Sequence, residues 1–169
     1  MKDRYSIPLT LLGACALSYF MIGWFMAKVS FVTTFQVVKP SEDVYRYVAD
    51  TRYWNNWMTD LQTIERDSSG INRHQMVFAL EDRFVRRPMT IDSIEAGRLF
   101  VFSVFYEHYR IQHRMRFSQP SDTTLVFCRS DVYGDGFFWR SWYALTKTWI
   151  ADRQKIDYER LRLLIETMQ

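Results

Sequence analysis

Cysteine is almost missing from this chain. There are two in 169 residues, Cys15 and Cys128, too few for the two to four bridges of a disulfide scaffold or the four ligands of a structural zinc site. Glycine and proline are sparse too, at six and four, which excludes a collagen-like repeat and a low-complexity linker. The sequence holds no Gly-rich phosphate loop, no GxSxG elbow, no HExxH pair and no paired-carboxylate motif. Asp131 to Asp135 lacks the alternating ligands and closing Glu of a calcium loop. His108 and His113 are five apart, so on one continuous strand they face opposite ways and share no metal. These absences imply no metal and no cofactor, and they make an enzyme the minority reading. An excess of one charge is also absent. Net charge is +3, and setting aside Lys2, Asp3, Arg4 and Lys28 leaves 19 basic against 18 acidic residues, a balance that argues against a nucleic-acid partner.

What the chain does have is apolar material: 48% of residues are hydrophobic and 17% aromatic, enough for one compact domain held by buried area. Part of it lies in a single run. From Tyr5 to Ala27 no residue is charged, and as a helix that run is about 34 Å long, enough to span a bilayer. Residues 1–28 are therefore expected to form a single-pass membrane anchor, with Ile7, Leu11, Leu17, Phe20, Ile22 and Trp24 meeting lipid and residues 29–169 forming the body. A cleaved signal is the first competitor, though its apolar core is normally shorter. A lipoprotein signal is the second, since Leu12-Gly13-Ala14-Cys15 resembles a lipobox, but twelve mostly apolar residues follow where a polar tether belongs. Positive charge is tied across the run, Lys2, Arg4 and the terminal amine against Lys28, Lys39 and Arg46, so the side occupied by the body stays open. Ala14 and Ser18 make a small-xxx-small pair that suits close approach of another membrane helix.

The body reads as strand, two short helices, six strands and one long helix. Val29 to Val38 is β-branched and aromatic, and Lys39-Pro40 ends it. Ser41 stands as N-cap before Glu42 and Asp43, with Val44, Tyr47 and Val48 on one face of a short helix. Asp50 to Met58 is a second short helix or turn. Strand-like runs follow at Leu61 to Arg66, His74 to Leu80, Arg87 to Ile94, Leu99 to Tyr106, Arg110 to Phe117 and Thr123 to Val132, with turns at Ser68-Ser69-Gly70, Ala96-Gly97 and Gln119-Pro120-Ser121. From Phe137 to about Met168 neither Gly nor Pro occurs, and Trp142, Leu145, Trp149, Ile156, Leu161, Leu164 and Ile165 predict the apolar stripe of one long helix.

Three local motifs in that order carry a resemblance: Pro40-Ser41-Glu42-Asp43-Val44-Tyr45, Trp54-Asn55-Asn56-Trp57 and Tyr133-Gly134-Asp135-Gly136. Over residues 30–168 the chain resembles the START-like superfamily, also called SRPBCC, which includes polyketide cyclase-like, lipid-transfer and plant pathogenesis-related proteins. The resemblance implies an α+β helix-grip fold, a curved antiparallel seven-stranded sheet around the C-terminal helix with an apolar cavity between them, here preceded by one transmembrane helix. It also implies a ligand that is a lipid, sterol, quinone, polyketide or similar hydrophobic molecule. Its catalytic residues differ between subfamilies, and none is carried over.

Alternation from Arg110 to Phe117 puts Ile111, His113, Met115 and Phe117 on one face and Arg110, Gln112, Arg114 and Arg116 on the other. His113 then points inward, to orient a ligand's polar head or to serve as a core histidine bonded within the fold. His74, Met76, Phe78 and Leu80 share a face in the same way. The ligand-cavity candidates are His113, Met115, Phe117, His74, Met76, Phe78, Phe102, Trp57, Trp142 and Trp149, the aromatic ones serving equally well as plain core. Arg83, Arg86 and Arg87, and the row Arg110, Arg114 and Arg116, suit anionic headgroups or an acidic partner, or simply a solvated face. Two functions compete: a membrane-anchored module that binds a hydrophobic small molecule, of the lipid or quinone class, beside the bilayer, and an accessory subunit of a larger membrane protein complex whose cavity is closed by aromatics.

Overall fold

The computed structural model describes residues 6–167 apart from 69 and 71, with side chains from Thr10 onward. Lys2, Arg4, Tyr5, the side chain of Ile7, Ser69 and Met168 lie outside the described residues. The elements in chain order are α1 (Ser6–Phe25), β1 (Val29–Val37), α2 (Ser41–Ala49), a 3₁₀ turn (Thr51–Asn56), β2 (Leu61–Arg66), β3 (Arg73–Leu80), β4 (Arg83–Glu95), β5 (Leu99–Phe105), β6 (Tyr109–Ser118), β7 (Thr124–Gly134), α3 (Gly136–Leu145) and α4 (Lys147–Thr167). The strands form one antiparallel sheet in the order β1-β7-β6-β5-β4-β3-β2. From β2 to β7 each strand pairs with the next, so hairpins alone explain the connectivity, and β1 closes the edge beside β7. An α+β fold with a seven-stranded antiparallel sheet and helices against it agrees with the helix-grip expectation.

Alternating burial is clean where one face meets the helices. In β6, Ile111, His113, Met115 and Phe117 are buried while the residues between them are partly or fully exposed. The main core joins α2 (Val44, Val48), the tryptophans at the 3₁₀ turn, the inner faces of β5 and β6, and Leu161 and Ile165 of α4. Trp54 is its centre. Its Nε1–H donates to the Val48 carbonyl at 2.7 Å, and its ring lies 4.6 Å from that of Phe102 and 5.6 Å from that of Trp57.

Three boundaries differ from expectation for local reasons. Pro40, at φ −58°, occupies the N-cap of α2, so Ser41 is the first helical residue and its N–H donates to the Gln119 side chain at 2.9 Å. Strand β4 begins at Arg83, four residues early, because Glu81 takes a left-handed φ of 51° and turns the chain tightly between β3 and β4. The long helix is two helices, parted at Thr146, where backbone φ and ψ depart to −100° and 13° and the hydroxyl bonds back to the Trp142 carbonyl at 2.8 Å. In α4 the buried face is Ile150, Gln154, Tyr158, Leu161 and Ile165, whereas Trp142, Leu145, Trp149 and Ile156 of the expected stripe are exposed.

The N-terminal segment needs a correction as well. Among the described residues no helix is long and apolar enough to cross a membrane. Leu11, Leu17, Phe20 and Trp24 are exposed. Toward its C-terminal end α1 packs on α3: Trp24 stacks on Phe137 with ring centroids 5.0 Å apart, and the Tyr19 hydroxyl donates to the Phe138 carbonyl at 2.8 Å. Ser141 donates to the Tyr19 carbonyl, and Gly23 sits so close to Phe137 that a Cβ there would run into its carbonyl. Beyond α1, Asp131 of β7 accepts from Lys28 at 2.8 Å and from Ser30 at 2.5 Å. Burial pushes the Asp131 carboxyl up, but the bonds from Lys28, Ser30 and Arg129 outweigh it and hold the group below its ordinary value.

Candidate functional site

Between the sheet and α4 lies a pocket of about 280 Å³. Strands β3 to β6 supply Met76, Phe78, Val85, Val104 and Ile111, and the loop after the 3₁₀ turn supplies Met58 and Thr59. The helix supplies Ile150, Arg153, Gln154 and Asp157, with Trp149 at the rim. Trp149 is 69% exposed, so one indole edges both the pocket and the surface. The lining is chiefly apolar with a few polar groups converging on it, the usual character of a small-molecule site.

The deepest polar group is His113, only 6% exposed. Its Nδ1 lies 3.0 Å from the Ser130 hydroxyl of β7 and 3.1 Å from the Tyr158 hydroxyl of α4, and those two oxygens are 3.3 Å apart. Phe102 covers one face of the imidazole, ring centroids 4.6 Å apart. Burial pushes the His113 pKa down to about 3, so the ring is neutral at physiological pH. Nδ1 and the two hydroxyls form a closed hydrogen-bonded triangle, which ties the ring to β7 and α4 through that nitrogen, and His113 lines the pocket.

Gln154 is 8% exposed and lines the same pocket, and its Oε1 is buried with no hydrogen-bond partner. Gln154 and Tyr158 are one helical turn apart on the buried face of α4, so the amide lies one turn from the hydroxyl that holds His113. At the rim the polar groups are tied down. Asp157 accepts from the Thr59 N–H at 2.9 Å and from its hydroxyl at 2.5 Å, and Arg153 bonds Asp60 at 2.5 Å. Burial raises the Asp157 pKa, more than its bonds to Thr59 and the nearby Arg153 and Arg160 lower it. Arg87 lies over the Tyr106 ring, 5.4 Å from its centroid. Tyr106 and Tyr109 stack on each other at 4.3 Å, and burial raises the pKa of both phenols.

Of the sequence candidates, His113, Met76, Phe78 and Trp149 meet at this pocket. Met115, Phe117, Phe102 and Trp57 are buried in the main core instead; Phe102 backs His113 from behind, and Trp57 packs against Trp54 and Tyr158. His74 shares the face of Met76 but lies farther along β3, away from the pocket, with its Nδ1 buried and unpartnered. Trp142 stands on the exposed side of α3. Of the two arginine groups only Arg87 reaches the pocket; Arg86 pairs with Glu65 at 3.5 Å, and Arg110 lies over Tyr133 at 4.7 Å. Sequence reasoning missed Gln154, Tyr158 and Asp157. The spacing Ile150, Gln154, Tyr158, Leu161, Ile165 was the available signal, obscured by larger apolar residues on the opposite face. Among the described residues no group of three His, Cys, Asp or Glu is placed to hold a metal ion.

No protein-family model and no curated protein matches the chain. Solved structures do. A START superfamily protein from Mycobacterium smegmatis is 12% identical, with a TM-score of 0.64 over 83% of this chain and 99% of its own. The di-domain ARO/CYC BexL from the BE-7585A biosynthetic pathway is also 12% identical, with a TM-score of 0.65 over 99% of this chain and 60% of that one. A protein from Deinococcus radiodurans is 15% identical, with a TM-score of 0.57 over 82% of this chain and 98% of its own. The likeness is one of fold: the chain has a START-like fold.

Proposed function

We propose that this protein binds a hydrophobic small molecule of the lipid or quinone class in the pocket between the sheet and α4, beside a bilayer to which α1 attaches it. The observation that carries the reading is the pocket itself: about 280 Å³, walled by Met76, Phe78, Val104, Ile111 and Ile150, with His113 and Gln154 inside and Trp149 at the rim. START and ARO/CYC neighbours in structure support a pocket of this kind in this fold. Membrane attachment draws on the uncharged sequence of α1 and its exposed Leu11, Leu17, Phe20 and Trp24. Phe137, Phe138 and Trp142 of α3 and Trp149 at the rim add further exposed apolar surface. The full chain, purified in mild detergent and extracted with organic solvent, is expected to release a stoichiometric apolar molecule detectable by mass spectrometry. An empty extract, with no uptake of offered lipids or quinones, overturns the proposal.

A second reading, an accessory subunit of a membrane protein complex, is favoured by one feature: Ala14 and Ser18 lie on an exposed face of α1 with the spacing that admits a second helix. Co-migration with partners in mild detergent, loosened by Ala14→Leu, is its signature, and a lone monomer in several detergents excludes it.

A further inference from the structure

We propose that the ligand is an apolar acid whose ionised carboxylate pairs with the Arg87 guanidinium while its hydrocarbon part fills the pocket. This inference rests on the small-molecule reading of the pocket and specifies the ligand's polar end. Strand β4 alternates: Phe84, Arg86 and Pro88 are exposed, Val85 and Arg87 are half-buried, and Met89 is buried. Arg87 therefore stands on the inward face of β4 between Val85 and Met89, opposite Met76 of β3, and lines the pocket. An arginine turned into a fold is normally paired with a carboxylate. Arg87 is not. Among the described residues no carboxylate stands within ion-pair distance of it, and its guanidinium lies over the Tyr106 ring, 5.4 Å from the centroid. A ring face attracts the cation without taking its N–H donors, which radiate in the guanidinium plane.

The other charges on the lining are engaged. Arg153 bonds Asp60, and Asp157, the one carboxylate among the described lining residues, takes both Thr59 donors on Oδ1. Burial raises the Asp157 pKa and keeps His113 neutral at physiological pH, so neither offsets Arg87. Burial also raises the phenols of Tyr106 and Tyr109, while Arg87 and Arg153 both pull them down, which puts the two cations within reach of the same tyrosine pair. One uncompensated guanidinium beside an apolar lining matches one negative charge, and its fork of donors matches the two oxygens of a carboxylate. A quinone or ketone accepts from that fork but leaves the charge unmet, and an amine is repelled.

Cuminic acid, cuminyl alcohol and cuminylamine share a skeleton and carry a negative, a neutral and a positive head near neutral pH. Each is titrated by calorimetry into the full chain in micelles of an uncharged detergent and, in parallel, into Arg87→Met and Arg86→Met, so that partition into micelles cancels. Methionine keeps an unbranched stem without the charge. Arg86 pairs with Glu65 at 3.5 Å and is exposed on the other face of β4, so its variant removes an equal charge away from the pocket. The acid is expected to bind the wild type about tenfold more tightly than the alcohol, with the amine weakest. That preference is expected to collapse toward unity in Arg87→Met while the alcohol affinity holds, and to persist in Arg86→Met. Equal binding of acid and alcohol by the wild type, a preference that survives in Arg87→Met, or one lost equally in Arg86→Met overturns the carboxylate inference and leaves the apolar pocket standing. Binding of none of them removes the pocket reading together with this one. If Arg87→Met fails to fold, Arg87→Gln takes its place, and if neither folds the wild-type ratio of acid to alcohol decides alone.

Discussion

The Tyr158 hydroxyl of α4 lies 3.1 Å from Nδ1 of His113 on β6, a hydrogen bond that crosses the core from helix to sheet. It anchors the imidazole that lines the pocket to the helix on the other side of the core. Tyr158→Phe removes the hydroxyl and keeps the ring against Trp57. A loss of about 1 kcal/mol in urea unfolding is expected, the net worth of one buried hydrogen bond. An unchanged midpoint shows that the bond carries no stability.

His113 makes the fold sensitive to acid. Its folded pKa, near 3 because of burial, lies below the ordinary histidine value. Above about pH 6.5 the ring is neutral in both states and adds no slope. Between about pH 6.5 and 3 the unfolded chain takes up a proton that the folded chain refuses, so stability falls toward acid by up to about 1.4 kcal/mol per pH unit from this group. The NMR resonances of the His113 ring are expected to stay constant from pH 8 to 5; a transition near pH 6 contradicts the buried, neutral assignment.

Asp157 has the opposite sign. Burial raises its pKa in the fold, so its contribution is most favourable at low pH and is lost as pH rises through that folded value. Both Thr59 bonds fall on one oxygen, Oδ1, and Asp157→Asn keeps that acceptor while removing the desolvated charge. The variant is expected to melt higher than the wild type at pH 7, with the gap narrowing toward pH 4. A lower melting point at pH 7 shows that the field of Arg153 and Arg160 outweighs burial.

Gly23 tests the seam between α1 and α3. A methyl there meets the Phe137 carbonyl, so Gly23→Ala is expected to part the helices and lose the Tyr19 to Phe138 bond without touching the sheet. Hydrogen exchange at residues 137–141 is expected to quicken at least tenfold while exchange in β5 and β6 stays as in the wild type. Unaltered exchange at 137–141 places the contact elsewhere.

Legibility in the sequence followed how far each signal is local. Alternation in β6 placed His113 inside correctly, because a half-buried strand writes its two faces into neighbouring residues. The helix phase misled. Trp149 and Ile156 are large, apolar and exposed, while Gln154 and Tyr158 carry polar atoms inward to meet the pocket and His113, so residue type pointed to the wrong face. The break at Thr146 has no Gly or Pro to announce it, only a β-branched hydroxyl that bonds back to Trp142. The core roles of Trp54 and Phe102 depend on pairing across the fold, which no window of neighbouring residues contains.

Lys28, bonded to Asp131 at the base of α1, has a mechanical consequence. With Ser30 on the same carboxylate and the Tyr19 hydroxyl on α3, the junction is a bracket with three fastenings and only a few residues of slack. The body therefore cannot swing like a buoy on a cable. Any tilt of α1 is transmitted to β7 and through it to the whole sheet, so the heading of the Trp149 rim is fixed by the attitude of a helix at the other end of the chain.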